Sequence, residues 1–421
     1  MEHMVSQFFS GLNQFLFYYP LFMTYLWLIG ALFYFKHWET SLDHHIEDMP
    51  KLPESPPVSI IVPCHNEEEN IQETLLFLVN QKYPNFEILA VNDGSTDKTA
   101  QILDGLTNKV KKLRVIHLAK NQGKAMALRM GALMSANEFL ICIDADTLLD
   151  EHATTWIMSH FVQGSRVGAV TGNPRIRTRS TLLGRIQVGE FSAIIGMIKR
   201  AQRIYGRLFT ISGVVSGFRK TALHQVGYWD IDTVTDDINI SWKLQMNHWD
   251  IRFEPNALCW ILTPETIKGL WQQRLRWAQG GMEAILKFTR KVFTWPKRRM
   301  WGVCIEYLVS IFWAYSMALV VVLWLLGQVV PLPEYLQVPS LIPGWNGVLL
   351  STTCLIQFGV SLMIDSRYEK GIGKFYYWMV WYPMVYWILT VFTTIVAVQK
   401  AIFKKPQTLG RWESPDRGLR L

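Results

Sequence analysis

Four stretches of this chain, residues 15–35, 307–330, 345–364 and 375–399, carry no charged side chain. A helix rises about 1.5 Å per residue and the hydrocarbon core of a bilayer is about 30 Å thick, so roughly 20 apolar residues suffice to cross it. Runs of this length are poor candidates for buried helices of a soluble core. The chain therefore reads as an integral membrane protein, with the remaining sequence free to form one large soluble domain. The third run is uncharged from residue 335, but Pro339 and Pro343 place the start of its helix near 345. The fourth is interrupted by Pro383.

The first run lacks the basic leader and small-residue cleavage site of a signal peptide and is too long for its apolar segment, so it reads as a retained anchor. Lys36, His37 and Lys51 follow it, whereas Glu2 is the charged side chain ahead of it. By the positive-inside bias the N-terminus lies outside and residues 36 onward lie in the cytoplasm. Four simple crossings would leave the C-terminal tail outside, yet the tail carries Lys400, Lys404, Lys405, Arg411, Arg417 and Arg420. The conflict is removed if the run around Pro383 is re-entrant or a tight hairpin, a choice the sequence leaves open. The net charge of +8 is not a nucleic-acid signature. Its basic residues cluster beside the spans (Lys287, Arg290, Lys291, Lys297, Arg298, Arg299), where anionic headgroups lie. The cysteines at 64, 142, 259, 304 and 354 have no disulfide or metal spacing, and the histidines form no ligand set.

Between the first span and the others, short apolar runs at 58–62, 86–91, 113–118, 139–143 and 167–170 alternate with helix-period stretches at 67–81, 97–110, 123–136 and 150–162. This alternation predicts a doubly wound α/β domain with a mostly parallel sheet. Ligands bind such sheets at the carboxyl ends of the strands. Polar motifs follow the strands there: Asn66-Glu67, Asn92-Asp93-Gly94 and Asp144-Ala145-Asp146. Past residue 180 the pattern loosens into a Gly-rich turn (Ser212, Gly213, Ser216, Gly217) and a helix opened by Asp236-Asp237. A Trp- and Arg-rich amphipathic stretch at 264–293 suits one or two helices lying in the membrane interface.

Each motif admits a plain reading beside a chemical one. Asp144 and Asp146 either cap the next helix or share a diphosphate, one orienting the nucleotide and the other binding a hard cation such as Mg²⁺ (or Mn²⁺). Asp93 is either a turn residue or an acceptor for a nucleobase N–H. Gly123 and Lys124 stand at a helix start, suited to an anionic group. Asp236 and Asp237 repel each other, which raises one pKa toward that of a working general base, while either also fits a helix cap. Arg276 suits a pyrophosphate. Trp277 either stacks on a sugar or belongs to an interfacial belt.

Taken in order, Val62-Pro63-Cys64-His65-Asn66-Glu67, Asn92-Asp93-Gly94-Ser95-Thr96-Asp97, Asn121-Gln122-Gly123-Lys124, Asp144-Ala145-Asp146, Thr235-Asp236-Asp237 and Gln273-Arg274-Leu275-Arg276-Trp277 resemble the motifs of the processive family 2 glycosyltransferases, which include cellulose, chitin and hyaluronan synthases. Residues 168–181, 238–245 and 414–418 are similar, within that family, to the bacterial branch that makes β-1,6-linked poly-N-acetylglucosamine for biofilms.

The resemblance implies a GT-A-like cytoplasmic domain inserted between transmembrane helices, with amphipathic interface helices. The corresponding division is an N-terminal transmembrane anchor at 1–40, a linker at 41–57 and a glycosyltransferase domain at 58–262. Interface helices follow at 263–300, then a C-terminal transmembrane region at 301–402 and a basic tail at 403–421. It implies donor binding by Asp93, Asp144, Asp146, Lys124, Asn66 and Glu67, with Asp146 on the metal. It also implies catalysis by Asp237 with Asp236 beside it, and an acceptor and pyrophosphate group of Gln273, Arg276 and Trp277. Asp236 departs from the family's motif, in which a glutamate precedes the base. The expected reaction is inverting polymerisation from UDP-N-acetylglucosamine onto a growing β-glycan, in the bacterial inner membrane. The expected partners are the lipid bilayer and a small membrane accessory subunit, with cyclic di-GMP at their interface. Two other readings stay open: another processive β-glycan synthase, and a non-catalytic export scaffold.

Overall fold

A computed structural model describes residues 2–40, 49–338, 340 and 344–404. The strands are β1 (Val58–Cys64), β2 (Phe86–Asp93), β3 (Leu113–Leu118), β4 (Phe139–Ile143), β5 (Leu148–Leu149), β6 (Val167–Ile176), β7 (Val215–Arg219) and β8 (Asp250–Ile261). The helices are α1 (Glu2–Tyr34), α2 (Ile71–Leu78), α3 (Thr99–Thr107), α4 (Lys124–Met134), α5 (Ala153–Gln163), α6 (Leu182–Glu190), α7 (Ile198–Tyr205), α8 (Lys220–Gln225), α9 (Asp236–Met246), α10 (Ile267–Val292), α11 (Trp301–Gly327), α12 (Gly344–Asp365) and α13 (Tyr382–Ile402).

One sheet holds all eight strands in the order β3-β2-β1-β4-β7-β6-β8-β5. The strands β3, β2, β1 and β4 run parallel, as the alternating sequence predicts. Every residue of β1 is buried, because helices cover both faces of a doubly wound sheet. Beyond β4 the prediction is incomplete. The run near 167 extends through Ile176 and lies two places from β4, because β7 is inserted between them, antiparallel to both. β7 grows out of the stretch that reads as a Gly-rich turn: Gly217 sits in it, packed so closely beneath Ile157 that no side chain fits. A strand made of Val, Ser, Gly, Phe and Arg has little alternation to reveal it.

Among the described residues, three helical segments, His3–Glu39, Trp295–Gly327 and Trp345–Asp365, are long and apolar enough to cross a membrane. The fourth uncharged run divides into a 3₁₀ segment, Ile372–Trp381, and α13. Pro383 is the second residue of α13. Arg185 of α6 lies 5.4 Å from the Trp378 ring. At the far end Lys404 meets Glu283 of α10 at 3.0 Å and donates to the Asp232 carbonyl at 2.6 Å. The chain from Asp365 to Lys404 thus leaves from and returns to the sheet's side of the membrane helices. The rest of the basic tail, 405–421, and linker residues 41–48 lie outside the described residues.

A buried ion network seats the sheet on these helices. Arg200 of α7 binds Glu39, just past α1, through Nε at 2.6 Å and Nη2 at 3.2 Å. Its Nη1 reaches Asp365 of α12 at 3.1 Å, and Arg175 of β6 reaches the other oxygen of Asp365 at 2.6 Å. All four side chains are buried. Together they pin the ends of two membrane helices to the strand β6 and the helix α7.

Candidate active site

A cavity of about 920 Å³ begins where β4 ends and continues among α1, α11, α12 and α13. Asp144 and Asp146 line it, flanking the buried Ala145. The turn is held by Thr74 Oγ1, which donates to the Ala145 carbonyl at 2.8 Å. Lys124 opens α4 directly after Gly123, whose φ of +92° favours glycine. Its ammonium pairs with Asp144 and donates to the Gly213 carbonyl at 3.1 Å. Burial disfavours that charge, but Asp144, Asp236 and Asp237 outweigh burial and hold the ammonium above the ordinary lysine range.

Asp236 and Asp237 occupy the first turn of α9, where the exposed helix N–H groups favour negative charge. Asp237 Oδ1 accepts from the Ile238 N–H at 2.9 Å. Burial, then the charge of Asp236, pushes the Asp237 carboxyl up to about 6, against Lys124, the Ile238 N–H and Arg276. Gly280 lets α10 close on Thr235, immediately before the pair; a Cβ there would collide with the threonine side chain. This coupling makes a signed prediction. A base works deprotonated, so activity should rise with pH through about 6. Asp236→Asn removes one of the charges that raise the Asp237 pKa, so the acidic limb of a kcat-against-pH profile should move to lower pH. An unmoved limb would show that Asp237 does not set it.

Gln273, Arg276 and Trp277 share one face of α10 at i, i+3 and i+4, and all three line the cavity. The Trp277 ring meets Phe191 edge-on at 6.3 Å. Arg274 lies 4.2 Å from the same ring and pairs with Glu190 at 2.7 Å, both side chains being buried. Trp277 is therefore held in place from two sides at the cavity wall, not loose in an interfacial belt.

Asn66, Glu67 and Asp93 do not line this cavity. They build the loops beside it. Asn66, at φ +54°, accepts from the Thr96 N–H at 2.9 Å. The Glu67 N–H donates to Thr99 Oγ1 at 2.8 Å. Asp93 is fully buried, its two oxygens accepting the N–H groups of Gln122 at 2.9 Å and Gly123 at 2.7 Å. Burial raises its pKa and those two amides oppose the rise. In this conformation the carboxylate shapes the loop that delivers Lys124.

The donor set also bears on the expected cation. Asp144 and Asp146 offer hard oxygens side by side, and among the described residues no three His, Cys, Asp or Glu side chains gather as a metal cage. Two carboxylates fit magnesium or manganese, which take their remaining ligands from phosphate and water. Among residues outside the sequence motifs, the fold brings Lys199, Gln202 and Glu306 to the same cavity. Of these, Glu306 carries a sequence signal, a charge directly before an uncharged run, whereas Lys199 and Gln202 sit in a polar stretch that does not single them out.

Residues 56–280 match a family model described as "Glycosyltransferase like family 2". The chain is 39% identical over 404 residues to a poly-beta-1,6-N-acetyl-D-glucosamine synthase of Staphylococcus epidermidis, spanning 96% of this chain and 98% of that protein. It is 38% identical over 407 residues to the protein of the same name from Staphylococcus aureus, again spanning 96% and 98%. Among solved structures, a mannosyltransferase from Pyrobaculum calidifontis, in complex with GDP-Man and Mn²⁺, superposes with a TM-score of 0.64. It shares 19% identity, over 95% of this chain and 99% of that one, and so supports the GT-A-like fold alone.

Proposed function

The chain belongs to the family 2 glycosyltransferases, and from that footing we propose that it is a membrane-embedded inverting synthase that polymerises N-acetylglucosamine from UDP-N-acetylglucosamine into a β-1,6-linked exopolysaccharide. One observation carries the reading: the cavity holding Asp144, Asp146, Asp237 and Trp277 is continuous with one lined by Tyr19, Trp27, Trp313 and Thr393 of the membrane helices. A glycan elongated at the first end has a path into the second. The names of the staphylococcal relatives supply sugar and linkage.

In this reading Asp237 takes the proton of the acceptor's C6 hydroxyl as its oxygen bonds to the anomeric carbon. The bond from that carbon to the phosphate oxygen breaks, and its electron pair leaves with UDP. Attack opposite an α-linked leaving group yields the β product in one displacement. Asp146, beside Asp144, would hold a divalent cation, which would offset charge collecting on the departing diphosphate. Lys124 and Arg276 add positive charge around the diphosphate. Asp93 shapes the nucleotide end through the loop before Lys124, Asn66 and Glu67 do so through Thr96 and Thr99 after β2, and Gln273 and Trp277 seat the acceptor. The positive-inside bias places the catalytic domain on the cytoplasmic side of the bacterial inner membrane. A small accessory subunit, with cyclic di-GMP at their interface, belongs to this reading on sequence resemblance.

Membranes containing the protein and any operon partner, given Mg²⁺ or Mn²⁺ and radiolabelled UDP-N-acetylglucosamine, should form a high-molecular-weight product that a β-1,6-specific hexosaminidase degrades. UDP-glucose and UDP-glucuronate should give none. A resistant polymer would keep the mechanism and overturn the linkage; absence of incorporation would overturn the donor.

A further inference from the structure

Lys199 lies outside every motif, yet it lines the cavity as a residue only 5% exposed. Its one hydrogen bond among the described residues is to Thr171 Oγ1, at 3.1 Å. Thr171 Oγ1 also accepts the Ser212 N–H at 2.8 Å. The next residue, Gly213, lies against Asp237: a Cβ added there would stand 3.2 Å from Asp237 Oδ2. Lys199 Nζ also lies 5.9 Å from the Phe253 ring, and a lysine has donors beyond the one given to Thr171, so N–H remains for the cavity. Burial pulls its pKa down to about 7, against the opposing charge of Asp237.

Its location on the cavity wall says which substrate it meets. Lys124 is already bound to Asp144 and Gly213, at the end of the cavity read as holding the nucleotide. Gln202, one helical turn beyond Lys199 on α7, approaches Glu306 of α11 at 3.4 Å, and Glu306 accepts from Trp27 of α1 at 3.2 Å. Lys199 thus begins a polar track that leads from the base into the membrane helices. The piece of substrate lying between base and membrane is the sugar at the growing end of the acceptor.

Resting on the glycan-synthase reading above, we propose that Lys199 is an acceptor-binding residue: its free N–H groups donate to an oxygen of the terminal acceptor sugar and hold the attacking hydroxyl at Asp237. Buried and with donors to spare, it has a use for an uncharged, oxygen-rich ligand. Without it the donor still binds and is still cleaved, but the acceptor is held loosely and water competes.

The test uses full-length protein in nanodiscs, with Lys199→Met and Lys199→Gln beside wild type. Each is assayed for UDP binding, for release of UDP to water, and for transfer to added β-1,6-N-acetylglucosamine oligosaccharides. Loss of this hydrogen bond should raise the half-saturating acceptor concentration about tenfold in Lys199→Met. UDP binding should stay as in wild type, and the ratio of hydrolysis to transfer should rise. Lys199→Gln, which keeps amide donors, should fall between. Equal loss of hydrolysis and transfer, or an unchanged half-saturating concentration, would overturn the assignment. Loss of UDP binding in both variants would overturn it too, by making Lys199 a part of the fold. Failure of wild type to use UDP-N-acetylglucosamine would instead defeat the parent reading.

Discussion

Asp237→Asn should lower glycosyl transfer by about 10²–10⁴-fold, the usual contribution of a positioned general base, while leaving UDP binding intact. The amide is close in size to the carboxylate and can still accept from the Ile238 N–H, which Oδ1 binds at 2.9 Å. Geometry at the start of α9 should therefore persist. What disappears is a group whose pKa, pushed up to about 6 by burial and Asp236, lets it hold a proton. Donor binding should survive because Lys124 keeps its contacts to Asp144 and Gly213. Single-turnover transfer, measured beside equilibrium UDP binding, separates these quantities. Near-wild-type transfer would remove Asp237 from the role of base and direct attention to Asp236.

Asp365→Ala should destabilise the protein strongly. Asp365 is fully buried and meets both Arg175, at 2.6 Å, and Arg200, at 3.1 Å. Removing one partner of a buried ion pair strands the other charge in a low-dielectric interior and costs about 3–5 kcal/mol. That cost falls at the junction of α12, α7 and β6. The variant should show lower yield in detergent and an earlier thermal transition. Lys82→Ala provides the comparison: its pair with Glu151 spans 3.7 Å between half-exposed side chains, and exposed pairs of that kind contribute little. Equal thermal transitions for the two variants would show that the buried network does not hold the domain on its helices.

Much of this molecule is legible before folding, and the parts that are not share a cause. The strands β1 to β4 and the helices α2 to α5 stand where apolar period and length place them, because burial on both faces of a sheet, or on one stripe of a helix, writes a local pattern. The carboxylates Asp144, Asp146 and Asp237 and the α10 residues Gln273, Arg276 and Trp277 come together in the cavity. Asp93 and Asn66, read from the same kind of motif, instead bond the loops beside it, and the Glu67 carboxylate accepts from Asn70. A motif names a residue; whether its side chain meets ligand or backbone depends on how neighbouring loops close.

By itself the sequence determined that this chain carries membrane helices, a parallel α/β core and strand-end carboxylates, since length, period and short-range spacing are properties of consecutive residues. Only the tertiary structure decided that β7 enters antiparallel beside β4, that the run around Pro383 returns to the sheet's side, and that Lys199 joins Asp237 in one cavity. The pairing of Arg200 with Glu39 shows why: the two lie 161 residues apart. Contacts across such separations come from packing whole elements together, and they leave no periodic trace in the chain.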